Sequence, residues 1–180
     1  MIALSPTPVL ETERLVLRAP AARDWPAWRD FIQSERGVWM RADPRINEET
    51  AWRAWAGVIG HWVMRGWGSF VFTTHDSDRA LGMTGPWAPA GWPEFEIGWS
   101  VWAPGDEGRG YVAEAARCAI DHAFRRLGWH TAVSYIAHEN TRSIALAERL
   151  GARRDDSAAT PRNDTGCAAY RHPHPDEAAA

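Results

Sequence analysis

"EIGWSVWAPGDEGRGYVAEAA", residues 96–116, sets an alternating run against a turn of proline and glycines and then against a helix-forming run. The change of period predicts a strand, a tight loop and a helix mouth. The stripe Val112, Ala116, Ala119, Ile120, Ala123, Phe124 and Leu127 carries the helix from about Gly110 to Leu127, and Gly128 ends it. A helix mouth offers unpaired N–H groups and roughly half a positive charge, and glycines let an anion approach the backbone closely. Gly108, Arg109, Gly110, Tyr111, Val112 and Ala113 therefore form a candidate phosphate cradle. A plain strand-loop-helix connection would use the same residues.

Two sharper phosphate motifs compete with that reading. A Walker loop needs Gly-Lys-Ser/Thr, and all 20 basic residues of this chain are arginine. "GRGYVA" (108–113) matches the relaxed dinucleotide fingerprint, with Glu139 as a ribose-binding acid, which would make the chain an NAD(P)-binding oxidoreductase. Against this, Pro104 to Glu107 separate the strand from its first glycine. Glu139 lies beyond the usual spacing of about 20 residues, and too little chain follows to complete a doubly wound domain.

Working outward, "TERLVLRAP" (12–20) alternates Leu15 and Leu17 against Arg14, Val16 and Arg18 and reads as a strand stopped by Pro20. Asp24 is placed to cap a first helix with Pro26 in its opening turn, and Asn47 to cap a second through "EETAWRAWAGVIGHWVMRG". In that second helix Trp52, Trp55, Ile59, Trp62 and Val63 recur at helical spacing and are expected in the core, with a substrate wall as the alternative. "GSFVFTTH" (68–75), "RALGMTGPW" (79–87) and "PEFEIGWSVWA" (93–103) read as a three-stranded antiparallel meander. "HTAVSYIA" (130–137) is a buried strand and "NTRSIALAERLG" (140–151) a helix capped by Asn140; "ARRDD" and "GCAAYRHP" close as strands. One domain spanning residues 1–173 is expected, with 174–180 a disordered tail.

Composition narrows the class. With 180 residues and a net charge of −3, the chain can build a core unaided and carries no basic surface for nucleic acid. No apolar run reaches the roughly 20 residues of a membrane span, and no signal segment opens the chain, so a cytoplasmic protein without membrane partners is expected. The seven histidines lack HExxH or paired spacing, Ser100 lies outside a GxSxG elbow, and Cys118 falls within a helix. Neither a metal nor a covalent nucleophile is predicted.

Three stretches in order, "TERLVLRAP", "EIGWSVWAPGDEGRGYVAEAA" and "NTRSIALAERLGA", resemble the Gcn5-related N-acetyltransferases (GNAT), in the branch containing ribosomal-protein N-terminal acetyltransferases. The likeness covers about residues 8–173. It implies a single α/β domain with a mixed, mostly antiparallel sheet of about seven strands flanked by helices. It also implies direct transfer of acetyl from acetyl-CoA to an amine, either a protein N-terminus or a small amine such as an amino acid, polyamine or antibiotic. A monomer or homodimer without metal is expected.

The family's loop pattern, Gln/Arg-x-x-Gly-x-Gly/Ala, aligns with Glu107-Gly108-Arg109-Gly110-Tyr111-Val112, so its first and last positions depart. Many relatives carry a tyrosine, the thiolate's proton donor, where this chain has Ala147. These departures motivate a rival reading as a catalytically weak acyl-CoA-binding or sensing module. Period-two spacing puts Glu94 and Glu96 on one strand face, and Glu96, which aligns with the family's strand glutamate, is the expected base. An N–H near Trp99 to Val101 is the expected oxyanion donor, and Val101 and Asn140 are expected to contact the cofactor. Ser143 and then Tyr170 are the candidates to protonate the thiolate. Trp39, Trp87 and Trp92 are expected to wall the acceptor site, with Asp43 attracting a cation.

Overall fold

The computed structural model describes residues 7–40 and 45–176. Its sheet runs β1 (Leu10–Glu11), β2 (Leu15–Arg18), β3 (Phe70–Thr74), β4 (Ser77–Trp87), β5 (Glu96–Val101), β6 (Val133–Ala137), β8 (Cys167–Arg171), β7 (Arg153–Asp155) from edge to edge. Neighbours are antiparallel except β5 and β6. This is the single α/β domain expected, and it is not the parallel sheet a doubly wound nucleotide domain would need. The eighth strand is β1, whose Leu10 and Glu11 pair with Leu17 and Val16. Two residues are too short a run to announce themselves by alternation.

Among the described residues four α-helices cover the sheet: α1 (Trp25–Gln33), α2 (Glu48–Arg65), α3 (Tyr111–Arg125) and α4 (Thr141–Arg149). Trp28, Phe31, Trp55 and Val58 of α1 and α2 pack on Val71, Met83 and Trp102. On the other face Ala115 and Ala119 of α3 meet Leu15, Leu17, Phe70, Phe72 and Leu81, while Ala123 and Phe124 meet Ile97. Ala147 of α4 rests on Ile136, Ala168 and Tyr170.

Local expectations fail in two places. Asn47 caps α2, its side chain accepting from Thr50 N–H at 2.8 Å, but Asp24 makes no side-chain cap on α1. Its buried carboxylate instead takes Arg18 Nη1 and Nη2, each at 2.8 Å, and the Ala21 N–H at 2.8 Å. A two-pronged charge-assisted pair outcompetes a helix cap. In α2 the core stripe is Ala51, Trp55, Val58 and Trp62, so Trp52 and Val63 fall off it and are 55% and 66% exposed. Of residues 174–180, expected to be a disordered tail, His174 stacks edgewise on Phe124 at 5.1 Å and Asp176 pairs with Arg125 at 2.7 Å, and 177–180 lie outside the described residues.

Two glycines give opposite expectations for one substitution. A Cβ on Gly82 in β4 would lie 2.1 Å from Ser100 O and 2.6 Å from the Phe72 ring, whereas one on exposed Gly57 in α2 meets nothing within 4 Å. Gly82→Ala should destabilise by about 3 kcal/mol or more through overpacking, and Gly57→Ala should stabilise by about 0.5–1 kcal/mol through helix propensity. Urea unfolding of the two variants checks both signs.

Candidate active site

The parallel pair β5–β6 is held at one register position among the described residues, Glu96 opposite Val133. Val133 N–H donates to Phe95 O at 3.0 Å, and one step on the Ser134 hydroxyl, not a backbone N–H, donates to Ile97 O at 2.6 Å. Beyond that point the strands part. The Trp102 N–H to Leu81 O bond fixes which β5 amides face β4. By alternation those of Ile97, Trp99 and Val101 face away from it, so the Trp99 and Val101 N–H groups turn into the fork.

Glu96 stands at the apex on the α1–α2 face, since its neighbour Ile97 packs under α3. Its Oε2 accepts from Trp92 Nε1 at 2.7 Å and its carboxylate also takes the Tyr135 N–H. A Cβ on Gly98 would lie 3.9 Å from Glu96 Oε1, so the carboxylate extends along its strand into the opening. The residue is half-buried, with its charged end turned inward. Desolvation pushes its pKa up to about 7, against the opposing pull of the Trp92 and Tyr135 hydrogen bonds. Glu94, expected beside it, is instead occupied by Arg171 at 2.7 and 3.0 Å, and Arg171 also holds Asp155.

The opposite face carries hydroxyls. Trp99 reaches toward α4, its Nε1 donating to Ser143 Oγ at 3.3 Å. Asn140 Oδ1 accepts from the Ser143 N–H at 3.2 Å, which caps α4. Tyr170 is buried against Ile136 and Ala147. Ser134 Oγ lies 2.8 Å from Nε2 of buried His172, whose pKa is pushed down to about 4 by desolvation. Glu96 and Ser143 therefore flank the fork from opposite sides of the sheet.

At the fork's outer end Gly108 and Gly110 take φ of 72° and 78°, turning the chain into α3. The helix has no side-chain cap, and its first internal bond is Glu114 N–H to Gly110 O. The N–H groups of Tyr111, Val112 and Ala113 precede that bond and remain available to an anion. Val112 packs its side chain against the Leu15–Leu17 cluster, so its bulk goes into the core. Tyr111 lies under the Arg14 guanidinium at 4.9 Å, and Arg14 Nη1 donates to Arg109 O at 3.0 Å. Glu107 pairs with Arg36 at 2.6 Å and Arg142 at 3.2 Å. This mouth, opening beside the fork, fits a phosphate-bearing ligand.

Of the expected acceptor wall, Trp92 touches the Glu96 carboxylate, Trp87 stacks on His61 at 4.6 Å, and Trp39 is half exposed in a 3-10 segment, Glu35–Met40. Asp43 lies outside the described residues. Sequence reading missed Arg36, Arg142 and Tyr135. The Tyr135 hydroxyl is buried, and burial, reinforced by the Glu94 and Glu96 charges, lifts it to about 12. No group of three or more potential metal ligands occurs among the described residues, and no described helix is long and apolar enough to cross a membrane.

A family model for the acetyltransferase (GNAT) domain matches residues 14–153. The crystal structure of an acetyltransferase from Agrobacterium tumefaciens is 37% identical, with a TM-score of 0.84, covering 92% of this chain and 94% of that one. YnaD of Bacillus subtilis, named as an uncharacterized N-acetyltransferase, is 24% identical over 81% of this chain and 83% of its own. RimL, a ribosomal L7/L12 alpha-N-protein acetyltransferase solved with coenzyme A, shares the fold at 18% identity and a TM-score of 0.69, covering 92% of this chain and 97% of that one.

The raised Glu96 pKa links ionisation to stability. The folded chain holds this proton more tightly than the unfolded chain, where an ordinary glutamate ionises near 4.5, so stability falls as pH rises from 4.5 to about 7. Glu96→Gln should therefore gain stability relative to the parent on going from about pH 5 to about pH 8.5, by at most about 3 kcal/mol. Denaturant titrations at the two pH values measure it; an offset that does not change with pH would refute the buried-carboxylate account.

Proposed function

Because the chain belongs to the GNAT family of acetyltransferases, we propose that it moves acetyl from acetyl-CoA directly to an amine, with Glu96 as general base. The observation that carries this reading is the Glu96 carboxylate at the apex of the β5–β6 fork, raised to about 7 and therefore able to take a proton near neutral pH. Acetyl-CoA supplies the activated acetyl thioester. The N–H groups of Tyr111 to Ala113 hold its phosphates, with Gly108, Arg109 and Gly110 shaping the mouth and Val101 and Asn140 lining the way inward.

Glu96 deprotonates the acceptor ammonium on the α1–α2 side, directly or through a water. The Trp99 and Val101 N–H groups, turned into the fork, donate to a carbonyl oxygen placed there. Ser143, on the other face, returns a proton to a departing thiolate; it stands ahead of Tyr170, whose ring is committed to the core. An amine arriving on one face and a sulfur leaving on the other suit a ternary complex, in which placement alone lowers the barrier by about 7–11 kcal/mol. The thiols do not offer an alternative: burial raises the pKa of Cys118, and that of Cys167 is pushed up to about 11.

The acceptor is a protein N-terminus or a small amine, met by Trp92 and Trp87 with Trp39 on the approach. Free-thiol release from acetyl-CoA across a panel of small amines and peptides with free N-termini tests the reading. Turnover with at least one amine is expected; coenzyme A binding without acceleration by any amine would favour a sensing module, and stabilisation by NAD alone would sink both. With a good acceptor, kcat/KM should rise through an apparent pKa near 7, and Glu96→Gln should lower it roughly 100-fold or more with coenzyme A affinity nearly unchanged. Unchanged turnover at every pH would remove Glu96 as base.

A further inference from the structure

Glu107 stands where the family's loop carries Gln or Arg, three residues before the helix mouth, which sets a carboxylate beside a phosphate site. Its two ion pairs are unequal. Arg36 binds it at 2.6 Å through Nη1, is 22% exposed, and is anchored by Nη2 on Val101 O at 2.9 Å. Arg142 reaches both carboxylate oxygens with one nitrogen at 3.2 and 3.4 Å, and is 83% exposed. Arg142 belongs to the first turn of α4, so its reach to Glu107 crosses from the α4 side to the β5–α3 loop, over the outer end of the fork.

We propose that Glu107 is an internal stand-in for a cofactor phosphate: it holds Arg142 in the free protein and yields that guanidinium to the pyrophosphate of coenzyme A. Arg36 keeps Glu107 in place throughout. This rests on the reading that the chain binds coenzyme A at the α3 mouth. A pyrophosphate on the Tyr111–Ala113 N–H groups offers more charge than one carboxylate and a geometry that suits the guanidinium fork. The cation absent from position 107 is then supplied by α4. The exposed, long pair gives way, and the half-buried, short pair does not.

Calorimetric titration of coenzyme A, 3′-dephospho-coenzyme A and pantetheine into the full chain tests this. Glu107→Gln should tighten both nucleotide ligands about three- to five-fold and leave pantetheine unchanged. Arg142→Ala should weaken both nucleotide ligands about ten-fold. In the Arg142→Ala background the gain from Glu107→Gln should vanish, because the two residues act on one interaction. An equal gain in both backgrounds would mean simple charge repulsion and overturn the proposal, as would no gain at all. So would a loss confined to the ligand bearing the 3′-phosphate, or a matching loss for pantetheine. If the parent chain itself fails to bind coenzyme A, the proposed function falls; if it binds and the coupling is missing, only this inference falls.

Discussion

The parting of β5 and β6 beyond Glu96 and Val133 is the constraint on which the rest of the structure turns. A sheet ordinarily pairs every backbone group it buries, and an interior gap leaves donors and acceptors that something else must satisfy. Here the substitutes are visible on the acceptor side: the Ser134 hydroxyl serves Ile97 O and the Arg36 guanidinium serves Val101 O. Glu96 itself takes the Tyr135 N–H that a continued ladder would have used. The Trp99 indole, bonded to Ser143, reaches across to α4 beside the opening. An unpaired stretch of strand thus persists in an otherwise continuous sheet of eight.

The fork also sorts chemistry by face. Because side chains alternate along β5, Glu96 faces the α1–α2 side while Ile97 and Trp99 face α3 and α4. The carboxylate meets the Trp92 indole and the Tyr135 N–H and is desolvated there, which lifts it toward neutrality. The hydroxyls lie on the face where desolvation drives His172 the other way, to about 4, and so keeps it uncharged. Burial acts alike on both groups, disfavouring whichever form carries charge. The outcome is a carboxylate lifted toward neutrality on one side and neutral hydroxyls beside an uncharged imidazole on the other.

Much of this was legible in the sequence because it is local. The alternation of "TERLVLRAP", the meander, the α3 stripe and the Asn caps each depend on residues a few positions apart, and each forms where the pattern places it. The positions of Glu96 at a strand end and Gly108 to Ala113 at a helix mouth followed from the same contiguity. What escaped was contact between distant segments. Asp24 has the spacing of a cap, but Arg18 claims it across a turn. Arg36 and Arg142 reach Glu107 from α1 and α4 sides, and no periodicity foretells such a meeting. Trp52 and Val63 shared a helical rhythm with Trp55 and Trp62 but not their face, since a tolerant spacing rule admits residues at the margin of the stripe.

Departures from a family's pattern are best weighed by where the altered side chain goes. Val112 replaces a small residue at the helix mouth, yet its isopropyl group turns into the Leu15–Leu17 cluster and leaves the backbone N–H free. Glu107 puts a negative charge beside the same mouth, yet arginines on two sides neutralise it, so the field at the mouth is not that of an isolated carboxylate. Ala147 differs in kind: it is fully buried against Ile136 and Tyr170 and carries no hydroxyl. On this face a hydroxyl stands instead at Ser143, one helical turn earlier and bonded to the Trp99 indole at the fork. The first two changes leave the backbone N–H groups at the mouth as they were, and the third leaves Ser143 as the hydroxyl next to the indole on this side of α4.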